Sequence, residues 1–246
     1  MSAPVVEIEN LSKSFGANQV LKNFSMKVPE GKNLVILGKS GSGKSVLIKC
    51  IVSLITPDDG LIKIFGKDVS NYSSESLDKL RARIGFLFQS NALYDSMTVR
   101  QNLEFPLRHH WNTERREKDT EQAVLEVLED VGLVHTVNMM PSELSGGMRK
   151  RIALARTLIL QPEIILYDEP TTGLDPITGR EISHLIVEVQ KKYNTTSIII
   201  SHDMNCIQIT ANSVIMLIEG RRYAQDTYEN LQRHNDPKIH EFFSIN

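Results

Sequence analysis

The eight residues Gly38-Lys39-Ser40-Gly41-Ser42-Gly43-Lys44-Ser45 carry the clearest chemistry in this sequence. Glycine, four variable residues, glycine, lysine and a hydroxyl residue make a loop that cradles phosphates. Its glycines let main-chain N–H groups turn inward, and a helix that starts there aims the positive end of its dipole at the same anion. The expected contacts to ATP run from Gly38 to Val46, with Lys44 on the β- and γ-phosphates and the Ser45 hydroxyl on Mg2+. A second cluster, Asp168-Glu169, closes the apolar run Ile164-Ile165-Leu166-Tyr167. Asp168 suits Mg2+, directly or through water, while Glu169 points elsewhere and could orient or deprotonate the water that attacks the γ-phosphate. His202 follows the run Ser197–Ser201, where a γ-phosphate contact is open to it. Gln89 ends the run Arg83–Phe88, with an amide that could bind a metal or a water. Carboxylates and histidines at strand ends are commonly structural. Together with a phosphate loop, these read as one catalytic set.

Such groups need a sheet whose strand ends converge, which is where α/β folds place ligands. Leu34–Leu37 reads as the strand entering the loop, and Val46, Leu47, Cys50, Ile51 and Leu54 fall at the spacing of the helix leaving it. Val5–Leu11 and Phe24–Val28 alternate as half-exposed strands and predict an antiparallel β layer. Between them, Phe15 is expected on a loop, where its ring could stack on a purine. Leu61–Gly66 reads as a further strand. From Ser90 the character changes. Thr98–Leu103 looks like a capped helix start, Glu114–Val131 like a charged amphipathic helix closed by Gly132, and Arg149–Leu160 like a third helix. The expected layout is one domain, with a nucleotide-binding core at 1–89 and 160–220, a helical subdomain at 90–159 and a short, mostly polar tail at 221–246. Ala92, Leu93, Tyr94, Met97, Phe105 and Leu107 read equally well as a docking surface or as the subdomain's own core. His109-His110-Trp111 reads as a surface loop, because no third ligand stands at metal spacing. Ser145-Gly146-Gly147 opens the third helix as a second anion-seeking N-terminus or as an ordinary cap, and the local residues favour the cap. Thr171–Pro176 is a turn before a helix starting near Ile177, and Val214–Ile218 with Glu219-Gly220-Arg221 predicts a final hairpin.

A chain of 246 residues, 41% hydrophobic, can bury a sizeable core. The formal net charge of -2 offers no broad positive field for nucleic acid, and Arg115-Arg116 and Arg149-Lys150-Arg151 read as solvated helix faces. Cys50 and Cys206 stand far apart in apolar stretches and read as buried, unpaired thiols in a reducing compartment. No apolar run approaches the ~20 residues needed to cross a bilayer, so a cytosolic chain is expected, with any membrane role borrowed from a partner.

Taken in order, these pieces resemble the nucleotide-binding subunit of an ATP-binding cassette (ABC) transporter along nearly the whole chain. The resemblance rests on Phe15, the phosphate loop, Gln89, the signature Leu144-Ser145-Gly146-Gly147-Met148, Asp168-Glu169, Gly173-Leu174-Asp175 and His202. It implies an α/β P-loop NTPase of ABC type, with a mainly parallel core sheet, an antiparallel β layer and an inserted helical subdomain. It also implies that two chains pack head to tail, so that Ser145, Gly146 and Gly147 act in trans on the neighbour's γ-phosphate and Asp175 communicates between sites. Gln89 would link nucleotide to an integral membrane permease. Two positions depart from the family pattern: Phe15 stands where Tyr is commoner, and Met148 replaces the usual Gln and loses its amide hydrogen bonds. Leu-Ser-Gly-Gly-Met-Arg-Lys-Arg, Ala-Arg-Thr-Leu and Thr-Thr-Gly-Leu-Asp-Pro are most similar to the Mla-type branch. That similarity implies phospholipid transport at the cytoplasmic face of the bacterial inner membrane, with a lipid-binding protein of the mammalian-cell-entry (MCE) type in the same complex. The alternatives are an importer ATPase for a small solute such as an amino acid, and a soluble ABC ATPase acting on ribosomes or DNA. The latter usually carry two cassettes or a long coiled coil, which this sequence lacks.

Overall fold

In the run Asn33–Leu37, Leu34 and Ile36 face one hydrophobic cluster and Val35 and Leu37 face another, so this short strand is apolar at every turn of the pleat. The computed structural model describes residues 3–110 and 117–244. Trp111, the pair Arg115-Arg116, the first residues of the expected Glu114–Val131 helix and Ile245 lie outside the described residues. The chain opens with β1 (Pro4–Phe15) and β2 (Asn18–Pro29), longer than their alternating centres suggested. β3 (Asn33–Leu37) leads through the phosphate loop into α1 (Lys44–Ile51). β4 (Asp59–Ile64), β5 (Lys67–Asp68), α2 (Ser74–Ala82) and β6 (Ile84–Leu87) follow. Three helices then intervene, α3 (Val99–His110), α4 (Glu117–Asp130) and α5 (Gly146–Leu158). The chain returns with β7 (Ile164–Asp168), α6 (Pro176–Tyr193), β8 (Thr196–Ser201) and α7 (Met204–Thr210). It closes with β9 (Ser213–Ile218), β10 (Arg221–Asp226), α8 (Tyr228–Gln232) and α9 (Pro237–Phe243).

Among the described residues, two sheets form. One has the order β10-β9-β3-β8-β7-β6 and is parallel except for the edge pair β10-β9, while the other has the order β2-β1-β4-β5 and is antiparallel. The expected parallel core with an antiparallel layer is therefore present. One cluster fills the space between the sheets around α1, with Ile8, Phe24, Leu47, Ile48, Leu166 and Ile200 among its members. The other joins the opposite face of the parallel sheet to the helices, through Val35, Tyr167 and Ile199 on the strands and Leu103, Val124, Ile152 and Ile186 on the helices.

Three sequence readings need correction. His109 and His110 are not on a loop, because α3 runs through His110. The hairpin expected after Val214 is present as β9-β10, but 221–246 is not a loose tail: β10 pairs with the core sheet, and Tyr228, Leu231 and Ile239 are buried in the main cluster. Short helices spaced by turns scatter their few apolar residues, so the packing is invisible in composition. Lys150 is not solvated but 2% exposed, since the middle residue of three on a helix points about 100° away from each neighbour.

Candidate functional site

The N-cap of α1 is Gly43 at φ +104°, a conformation suited to glycine, with no side chain bonded to the first-turn N–H groups. Those donors face a cavity of about 750 Å³ lined by Phe15, Val20, the loop from Gly38 to Val46 apart from Ser42, and Gln89, Glu169, His202, Met204 and Phe242. A side chain at Gly38 would meet Ser42 Oγ at 2.5 Å and the Leu217 carbonyl at 2.7 Å, so the loop can close only around glycine there. Lys44 is buried, and its ammonium donates to the carbonyls of Gly38 (2.7 Å) and Lys39 (3.2 Å) and sits 3.7 Å from Glu169 Oε1.

β7 delivers the carboxylates. Asp168 stays on the strand, where it accepts at long range from the Ser45 hydroxyl (3.5 Å). Glu169 follows at φ +51° and has different partners from Asp168. Glu169 is 9% exposed, and its Oε2 accepts from the Thr172 hydroxyl (3.3 Å) and faces His202 Nδ1 at 2.8 Å. An ionised carboxylate only accepts, so the tautomer that suits this contact has the His202 Nδ1–H donating to Glu169. Burial first, then the neighbouring Glu169 charge, pushes the Asp168 carboxyl above the usual carboxylate range, against the Ser45 bond and Lys44. The Ser45 hydroxyl faces the Asp168 carboxylate and Gln89 lines the same cavity as Ser45, so the three would offer the hard oxygen donors that Mg2+ prefers. The cavity can thus hold a polyphosphate on N–H groups and Lys44, while Glu169, oriented by His202, faces it as a base.

Phe15 ends β1 rather than sitting on a loop, and half of its surface is exposed at the mouth of this cavity, with Lys13 Nζ 5.5 Å from its ring centre. Ser145, Gly146 and Gly147 do not line the cavity. Ser145 caps α5 by accepting from the Met148 N–H (3.2 Å), and a Cβ on Gly147 would meet Thr178 at 2.6 Å. The Met148 side chain packs on the main cluster, which uses its apolar length and asks nothing of the missing amide. Asp175 also lies outside the cavity. It caps α6 by accepting from the N–H groups of Ile177 (3.1 Å) and Thr178 (3.0 Å), and the Thr178 hydroxyl bond, its largest influence, lowers its pKa.

Val20, Met204 and Phe242 line the cavity and were missed in the sequence, and Phe242 comes from the farthest point along the chain. α9 carries it to the loop, where Glu241 pairs with Lys39 at 2.7 Å and Lys39 Nζ lies 5.8 Å from the Phe242 ring. The available signal was Asp236-Pro237, a cap followed by a first-turn proline. Cys50 and Cys206 are buried and unpaired, and burial pushes both thiols up to about 11.

A family model described as ABC transporter matches residues 21–172. The probable ribonucleotide transport ATP-binding protein mkl of Mycobacterium leprae is 37% identical over 239 residues, 97% of this chain and 68% of the relative. The Mycobacterium bovis protein of the same name is covered over 66% of its length, so the chain spans about two thirds of these relatives. The intermembrane phospholipid transport system ATP-binding protein MlaF of Haemophilus influenzae is 38% identical over 242 residues, 98% of this chain and 91% of that protein. The dimeric structure of a post-hydrolysis state of the ATP-binding cassette MJ0796 bound to ADP and Pi superposes with a TM-score of 0.82 at 31% identity, covering 91% of this chain and 98% of that one. CbiO1 from Clostridium perfringens, part of the ABC transporter complex cbiONQ, gives 0.86 at 29% identity, covering 99% and 100%. Phe15, Asp175 and His202 fall outside the matched span of the family model.

Proposed function

This chain belongs to the ABC transporter family, and on that footing we propose that its ATPase cycle drives phospholipid between the membranes of a bacterial envelope through a separate integral membrane permease. The observation that carries the phospholipid reading is the 38% identity to the Haemophilus influenzae MlaF protein, which extends over 98% of this chain and 91% of that relative. Among the described residues no helix is long and apolar enough to cross a membrane, so the cargo path belongs to the partner. The chain would then sit at the cytoplasmic face of the inner membrane, with an MCE-type lipid-binding protein in the same complex.

In the proposed chemistry, the first-turn N–H groups of α1 and the loop amides hold the phosphates of ATP, and Phe15 stacks on the base. Lys44 exchanges its loop carbonyls and Glu169 for the β- and γ-phosphates. Glu169, released from Lys44, takes a proton from the attacking water, while His202 holds it by Nδ1 and turns its other nitrogen toward the γ-phosphate. Ser45, Asp168 and Gln89 would hold Mg2+, which would supply positive charge to the phosphates. Ser145, Gly146 and Gly147 stand outside their own chain's cavity, so we assign them to the neighbour's γ-phosphate in a homodimer, with Asp175 at the same junction.

Purification of the tagged chain from native membranes tests the cargo. A multi-span permease should co-purify, and the reconstituted complex should move fluorescent phospholipid between vesicles only with hydrolysable ATP. Recovery of ribosomes, of DNA, or of a permease paired with an amino-acid-binding protein would overturn this reading. So would a complex whose ATPase is stimulated by ribonucleotide and indifferent to lipid, the cargo named for the mycobacterial relatives.

A further inference from the structure

Lys150 is buried to 2% exposure on α5, and the acceptor for its ammonium among the described residues is the main-chain carbonyl of Gln89 at 3.1 Å. One turn and a half further along the helix, Arg156 donates from Nη1 to the Ala92 carbonyl (2.7 Å) and from Nη2 to the Asn91 carbonyl (3.2 Å). Thr157 adds a long bond from its hydroxyl to the Phe86 carbonyl (3.4 Å). A single helix therefore grips the carbonyls of 86, 89, 91 and 92, the end of β6 and the first part of the crossing into the helical region. Within that stretch one main-chain bond closes the turn, from the Asn91 N–H to the Phe88 carbonyl (3.1 Å). Asn91 and Ala92 stand consecutively at φ +64° and +52°, where a residue with a Cβ is strained, so a surrounding structure must impose the conformation.

Packing alone does not call for these cations. The apolar stripe Ile152, Ala153, Leu154, Ala155 and Leu158 already seats α5 in the main cluster. An apolar residue at 150 would fill the same space without desolvating an ammonium. The same helix begins at Ser145, with Lys150 rising only about 6 Å beyond Gly146. We propose that Lys150 and Arg156 are positioning residues that bind the Gln89 segment and the signature end of α5 into one rigid body. Gln89, in this chain's own cavity, and Ser145–Gly147, over the neighbour's, are then displaced together rather than separately. The inference rests on the composite-site reading above. It adds that the two halves of the communication run through side-chain grips on three carbonyls.

The test compares Lys150→Met, Lys150→Arg and Arg156→Gln in the full chain with its permease. The readouts are kcat and KM for ATP, the affinity for a fluorescent ATP analogue and the thermal midpoint. Lys150→Met should bind the analogue within about twofold of the parent and keep its KM while kcat falls by up to about 10²-fold, the scale of a displacement of roughly 1 Å at a reacting centre. Lys150→Arg should restore most of kcat, since it returns a donor to the Gln89 carbonyl. Arg156→Gln should show the same split, and the double variant should be no slower than the slower single one, because both remove one linkage. Should Lys150→Met not fold, Lys150→Gln replaces it, as its shorter amide cannot reach the carbonyl without movement, and the same loss of kcat is expected. Full kcat in either uncharged variant overturns the proposal, as does a loss confined to KM or analogue affinity. Lys44→Ala is the control for the functional reading itself. Residual turnover there overturns that reading and this inference with it, whereas a full-rate Lys150 variant beside an inert Lys44→Ala overturns the linkage alone.

Discussion

Glu169 is held by His202 on one oxygen and by Lys44 on the other, on a backbone conformation that costs a non-glycine residue about 1–3 kcal/mol. Strain of that kind is held at a residue that lines the cavity and meets both Lys44 and His202 there. Glu169→Gln keeps the shape and the hydrogen-bonding reach but removes the base, so it should retain nucleotide affinity while single-turnover hydrolysis slows by about 10²–10⁴-fold. Normal turnover in that variant, read by phosphate release, would remove Glu169 from the chemistry. Glu169 and His202 were legible as members of one set because each follows an apolar run that a parallel sheet buries, whereas their direct contact was not. Lys150 was not, because Arg149 and Arg151 on either side give the same composition as a solvated face, and only the helix rotation tells the middle residue apart. The turn of Glu169 itself leaves no trace in residue type.

The elements with a clear period or a clear cap were legible: β3, β7 and β8 from apolar runs, and α3 from Thr98, whose hydroxyl and amide exchange bonds with Gln101. α2 passed unread although Ser73 caps it, because a single buried residue, Leu80, ties it to the core. The docking-or-core question over the segment after Gln89 resolves residue by residue. Leu107 is core, whereas Tyr94 is 42% exposed and meets Phe105 with its ring tilted by 51° and the centroids 4.8 Å apart. Cys50 on α1 and Cys206 on α7 test the helices that seat the cavity. Their thiols, ordinarily near 9, are raised by burial to about 11, so the folded state resists ionisation that the unfolded chain accepts. Their contribution to stability is intact below about pH 9 and declines as pH climbs toward 11. Denaturant midpoints should fall across that window in the parent and less so in Cys50→Ala and Cys206→Ala. An iodoacetamide assay at pH 8 should label neither thiol before unfolding.

At the scale of the molecule, the proposed permease would dock on the exposed part of the Gln89 segment, where a partner need not enter the core. Leu93→Asp and Tyr94→Glu should abolish co-purification of the permease while leaving affinity for the fluorescent ATP analogue within about twofold, since both positions are partly or largely exposed. Leu107→Asp, at 2% exposure, should instead fail to fold, because it buries an unpaired charge. Equal loss of nucleotide binding in all three would show that no separable surface exists. The order of the core sheet bears on how the chain is made. β3, which carries the phosphate loop, emerges early, yet its two hydrogen-bonded neighbours are β8 and β9, near the opposite end of the sequence. At about 5–20 residues per second, the loop must wait roughly 10–40 s on the ribosome before its strand has a partner on either side. A nascent chain stalled before Thr196 should therefore retain no nucleotide on an ATP resin, and its bare β3 edge should recruit chaperones until the last strands arrive.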